Sequence, residues 1–194
     1  MADAPFDPTG AVTFDLAVGN VNLAHASPRV LAPADGLARL CEAAGEDATR
    51  GFGVAVGSAM GGRIARSLGE DGSKDGLREV SMERFVDHLR GEFALAGLGS
   101  VGMELWGKAL LFVVKSATMP SLFVASVLDG ALTEATGRAA VCVRLAESED
   151  ETRFLAIGQN GARLVVEWIA QGVFWGEMLV RLQTPERAKL GGAA

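Results

Sequence analysis

The chain has 194 residues, is 49% hydrophobic and 22% charged, and carries a formal net charge of −6. That mixture excludes disorder and suits one domain with a sizeable core. No long basic run marks a nucleic-acid footprint, and no charge-free run of about 18 apolar residues marks a membrane span.

Residues 1–10, with Pro5, Pro8 and Gly10, read as a flexible tail. This acidic start lacks the apolar segment of a signal peptide, so a cytoplasmic location is expected. VTFDLAVGNVNLAHASPRVL, residues 12–31, predicts a short strand pair with Gly19-Asn20 as its turn. Pro33-Ala34-Asp35 opens a helix, since proline suits the first turn and Asp35 suits its exposed N–H groups. Gly45-Glu46-Asp47 breaks that run, and a second helix is predicted over 47–68. EDGSKDG (70–76) is a polar loop. Ser81 precedes a third helix, whose apolar stripe is Phe85, Val86, Leu89, Phe93 and Leu95.

From Gly99 the period changes. A hairpin is predicted at 100–106 and 109–115, broken at Gly107-Lys108. Pro120 starts a helix that stops at Gly137. Strands follow at 139–147 and 152–158, joined by the charged turn SEDE. Residues 161–182 are helical with a possible interruption at Gly172, and 185–194 form a second flexible tail. One domain over 11–184 results. The fold class is α+β: a four-stranded twisted antiparallel sheet with helices packed on one face, plus a short N-terminal strand pair.

The stretch GVAVGSAMGGRIARSLG, residues 53–69, holds Gly53, Gly57 and Gly61 at intervals of four. A phosphate loop would need a lysine followed by Ser or Thr, and neither follows Gly62. A dinucleotide fingerprint would need a preceding strand, but CEAAGEDATR is helical and charged. Arg50, Arg63 and Arg66 disfavour a membrane zipper. A soluble helix with a flat face remains, since residues four apart share one side. Three interior glycines cost about 3 kcal/mol relative to alanine. Close approach of another backbone, or of a ligand, is the compensation that this cost predicts.

Gly57-Ser58-Ala59-Met60-Gly61-Gly62-Arg63-Ile64 resembles the glycine helix of the small TRAPP subunits. These share a superfamily with the vinyl-reductase-type, hydrocarbon-binding domains of bacteria and archaea. Val127-Leu128-Asp129-Gly130-Ala131-Leu132-Thr133-Glu134 resembles a second signature of that superfamily, and Gly97-Leu98-Gly99 resembles the turn before its first hairpin. The resemblance covers about residues 35–160. It implies a homodimer formed through helices, and either an apolar pocket or a scaffolding surface. Paired cysteines common near the last strands of the vinyl-reductase-type domains are reduced here to Cys142. The loop where some TRAPP subunits carry an acylated cysteine has none.

Other candidate sites read as structural. Cys41 and Cys142 sit in apolar patterns and read as buried thiols. His25 and His88 lack partners at ligand spacing, and the acidic cluster Glu147, Glu149, Asp150 and Glu151 reads as a solvated turn. No nucleophile–base set and no cofactor or metal site emerges. The favoured reading is a non-enzymatic, dimeric adaptor that binds other proteins, with an unidentified protein partner. Trp168, Phe174 and Trp175 would give it an aromatic contact surface. The alternative is a sensor holding an apolar small molecule beneath the glycine helix, with Met60, Leu68, Phe85, Leu89, Met103 and Leu105 as walls. A weaker alternative is an accessory factor for a tetrapyrrole or lipid-like substrate. The patterning favours a filled space there over an open one.

Overall fold

A computed structural model describes residues 10–23, 28–68 and 82–183 of the chain. The N-terminal tail except Gly10, the C-terminal tail at 185–194, the loop at 70–76, His25 and Ser81 lie outside the described residues. The elements are β1 (Val12–Asp15), β2 (Asn20–Leu23), β3 (Pro28–Arg29), α1 (Ala34–Ala44), α2 (Glu46–Leu68) and α3 (Met82–Ala96). They continue with β4 (Ser100–Trp106), β5 (Ala109–Lys115), α4 (Ser121–Thr136), β6 (Val141–Glu147), β7 (Glu151–Ile157), α5 (Gln159–Ala170) and α6 (Trp175–Gln183). The class is α+β, with a four-stranded antiparallel sheet in the order β4-β5-β7-β6 and a small N-terminal sheet β1-β2-β3.

The N-terminal pair gains a third short strand, β3, which joins β2 antiparallel. Its turn closes on Gly19 at φ 70°, a left-handed conformation that glycine adopts without cost, and Asn20 already belongs to β2. At the start of α1, Asp35 makes no cap; its carboxylate accepts a hydrogen bond from Arg39 one turn on. Gly45 does separate α1 from α2, at φ 85°.

Side chains of the main sheet alternate between its two faces, with one register shift in β6 between Arg144 and Ala146, and both faces are covered. Leu110, Phe112 and Val114 of β5 and Phe154 of β7 join the core made with α2, α3 and α4. Leu111 and Leu155, pointing the other way, join Ala162, Val165, Met178 and Leu179 of α5 and α6. The helices therefore form a thick layer on one face and a thin one on the other. The second layer follows from the wide apolar stripe of 161–182, which breaks after Ala170, turns at Gly172 (φ 73°) and folds back as α6.

Helix α4 is buried nearly all round, between the sheet and α2. The contact with α2 is a backbone contact. A methyl group at Gly53 would lie 2.6 Å from Ser126 Cβ and 2.8 Å from the Phe123 carbonyl oxygen. One at Gly57 would collide with the Val127 carbonyl and lie 2.9 Å from the Ala131 nitrogen. One at Gly61 would press on the Ala131 backbone, and one at Gly130 would lie 2.8 Å from the Ser58 nitrogen. Glycine on both helices thus brings the two backbones together at four levels.

Candidate functional site

Seating α2 on α4 by its glycine face fixes where its other faces point. Phe52, Val56, Met60 and Arg63 follow one another at three- and four-residue steps, a stripe flanking the glycines. This stripe forms one wall of a cavity of about 310 Å³. The N-terminal sheet and the segment after it form another wall, through Val12, Val21, Leu23, Val30 and Leu31. Leu37 of α1, Phe123 of α4, and Glu92, Leu95, Leu98 and Met119 complete the lining. Phe52 and Phe123 touch at a tilted 5.3 Å between ring centroids. The volume lies in the range of small-molecule pockets, and the lining is mainly apolar with few polar groups, the usual make-up of such a site.

The charged groups come from two elements. Arg63 of α2 and Glu92 of α3 form an ion pair with almost fully buried side chains. Arg63 Nε donates to Glu92 Oε1 at 2.9 Å and to Oε2 at 3.1 Å, and Nη2 donates to Oε2 as well. Thr118 Oγ1 donates to the Gly97 carbonyl at 2.6 Å, tying the chain before α4 to the end of α3. Gly97 itself takes φ 66°, which lets the chain leave α3 and bring Leu98 inward.

The six side chains expected to wall a pocket fall differently. Met60 lines this cavity. Leu68, Phe85 and Leu89 are buried in the core, and Met103 packs against it, so the space between α2, α3 and the sheet is filled. Leu105 is 63% exposed, because it lies at the hairpin end of the edge strand β4. The cavity occupies the next face of α2 instead. The residues that sequence reasoning missed, Phe52, Val56, Arg63 and Glu92, had a partial signal: the stripe at 52, 56, 60 and 63 beside the glycines. Nothing local linked Glu92 to Arg63, since 29 positions separate them.

The aromatic side chains of the C-terminus lie on the far side of the sheet. Trp175 packs edge-on against Trp106 at 5.6 Å and under the Arg153 guanidinium at 5.7 Å. Trp168 lies under Arg181. Phe174 is 66% exposed, stacked obliquely on Trp175. Trp168 and Trp175 therefore serve mainly to cover the sheet.

Two further groups are electrostatically unusual. Asp129 of α4 accepts a hydrogen bond from the Cys142 backbone N–H at 2.5 Å. Burial raises its carboxyl above the ordinary range, opposed by that hydrogen bond. Burial, then the Asp129 charge, pushes the Cys142 thiol well up, so it is neutral. Both cysteines are buried and free. His88, half-buried on α3, is held below its ordinary value by burial and by Arg84. Among the described residues no group of His, Cys, Asp and Glu is arranged to hold a metal, and no helix is long and apolar enough to cross a membrane.

The solved structure of the phenol-responsive sensory domain of the transcription activator PoxR, determined with phenol, is similar to this chain. The TM-score is 0.55 and the identity 13%, and the match covers 76% of this chain and 85% of that one. At that identity the likeness shows a shared fold. No family model matches the chain, and no curated protein matches it.

Proposed function

We propose that the protein is a sensor module that holds an apolar small molecule in the cavity between α2 and the N-terminal sheet, without chemistry of its own. The observation that carries this reading is the cavity, which combines about 310 Å³ of space, an apolar lining and one buried ion pair. The adaptor reading offers no use for such a space in an otherwise close-packed core. The shared fold with a phenol-responsive sensory domain supports the same choice. Ligand occupancy would be signalled through the N-terminal sheet, which forms one wall.

The test is binding of an apolar fluorescent probe, N-phenyl-1-naphthylamine, to the full chain. Val56 faces the cavity from the middle of α2, and Val56→Trp fills it. Wild type should enhance the probe's fluorescence saturably, and the folded variant should not. Equal enhancement by both, or none by wild type, would refute the reading. Dimerisation is part of the proposal. It is supported by Leu164, Val166, Ile169 and Val180, which α5 and α6 leave exposed. A monomer mass by light scattering at tens of micromolar (roughly, from typical affinities) would remove it.

A further inference from the structure

Arg63 and Glu92 are the charged side chains on the cavity wall among the described residues. Their burial needs an explanation. A buried ion pair is a poor source of stability, since desolvation offsets its attraction and an apolar replacement often does as well. It is, however, a strong determinant of what else can enter. The pair is electrically neutral as a unit. An ionised ligand would have to share one partner and leave the other uncompensated in an apolar space. A ligand with no polar group would gain nothing from the Glu92 carboxylate or the Arg63 guanidinium. Thr118 cannot offer its proton, which goes to the Gly97 carbonyl.

We propose that the Arg63–Glu92 pair recognises an uncharged hydroxyl group on an otherwise apolar ligand, and discriminates against the ionised carboxylate of the same body. A hydroxyl both donates and accepts. It donates to a Glu92 oxygen and accepts from an Arg63 N–H without breaking the pair. Val56 and Met60, on the same stripe of α2 as Arg63, hold the apolar body. This inference rests on the sensor reading of the cavity.

The experiment compares 4-methylphenol, p-xylene and 4-methylbenzoate, by ligand-observed NMR on the full chain at neutral pH. 4-Methylphenol should bind about ten-fold or more tightly than p-xylene, the difference expected for one hydrogen bond to a charged group. 4-Methylbenzoate should not bind where 4-methylphenol saturates. Glu92→Gln leaves the Arg63 charge uncompensated and should reverse the preference, so that 4-methylbenzoate binds. Equal binding of p-xylene and 4-methylphenol, or tighter binding of 4-methylbenzoate by wild type, overturns the inference and leaves the sensor reading standing. Binding of none of the three overturns both. If Glu92→Gln does not fold, the wild-type series decides alone.

Discussion

Gly57→Ala and Gly51→Ala place the same methyl group on the same helix with opposite expected outcomes. Both glycines lie within α2. Gly51 has open space where its Cβ would be, so alanine there meets nothing and gains about 1 kcal/mol of helix propensity. At Gly57 the new methyl would lie 2.9 Å from the Ala131 nitrogen and closer still to the Val127 carbonyl oxygen. Carbon contacts are comfortable at about 3.5–4.0 Å, so α4 must retreat by about 1.5 Å from the Val127 carbonyl. The obstacle is helical backbone, which cannot rotate away as a side chain would. Retreat also opens the contacts at Gly53, Gly61 and Gly130, which share the interface. The net cost should be about 1–3 kcal/mol, after the propensity gain. For a domain of this size each kcal/mol moves Tm by about 2–4 °C. Thermal unfolding followed by circular dichroism should therefore show Gly57→Ala melting lower than wild type and Gly51→Ala slightly higher. Shifts of the same sign, or a Gly57→Ala variant that melts at or above wild type, would refute the backbone-contact argument.

The folded state holds the proton of Asp129 to higher pH than the unfolded state does, because burial raises its pKa. Its contribution to stability should therefore fall as pH rises from about 4 through the raised folded value, and level off above it. Asp129→Asn keeps an acceptor for the Cys142 N–H and should flatten that slope without loss at neutral pH, whereas Asp129→Ala should cost about 1–3 kcal/mol through the orphaned amide; a wild-type Tm that climbs with pH relative to the Asn variant would count against this. Cys142 should resist Ellman's reagent in the native protein and react once guanidinium unfolds it, since the buried thiol is kept neutral; rapid native labelling at Cys142 would contradict its placement. His88, held low by burial and Arg84, should make stability decline as pH drops from about 6.5 through its lowered folded value, and His88→Gln should remove that decline in urea titrations.

Much of the fold was legible because its signals are local. The first hairpin was predicted at 100–106 and 109–115, where β4 and β5 lie, because Gly107-Lys108 interrupts a run of strand formers. Gly137 ends α4 in the left-handed conformation its position suggested. The glycine spacing at 53, 57 and 61 indicated a backbone contact, though the partner, Gly130 and its neighbours on α4, lies far along the chain. The site was less legible. Its walls come from six elements, and its polar pair joins residues of two helices that no periodicity connects. Leu105 alternates with Met103 and Val101, so pattern alone assigned it to the core, but it lies at the hairpin end of an edge strand and is left exposed.

Glycine enforces a filled contact at one face of α2 and leaves space at the next. Glycine shortens the distance between α2 and α4, and there the packing is dense. That approach also fixes how far α2 stands from everything else. The stripe of Phe52, Val56 and Met60 faces a different partner, a small sheet that supplies Val12, Val21 and Leu23. A sheet of three short strands brings little bulk, and part of it is spent on solvent: Phe14 of β1 is 62% exposed and Leu16, in the turn after it, 91%. A long helix pinned on one side and thinly covered on the other leaves space between. Arg63 lies one turn beyond Met60 on the same stripe, so the helix that creates the space also delivers the charge to it. Glu92 then meets that charge from α3. The close contact and the cavity are thus two consequences of one helix, which is why Gly57→Ala should weaken ligand binding as well as stability, even though Gly57 does not line the cavity.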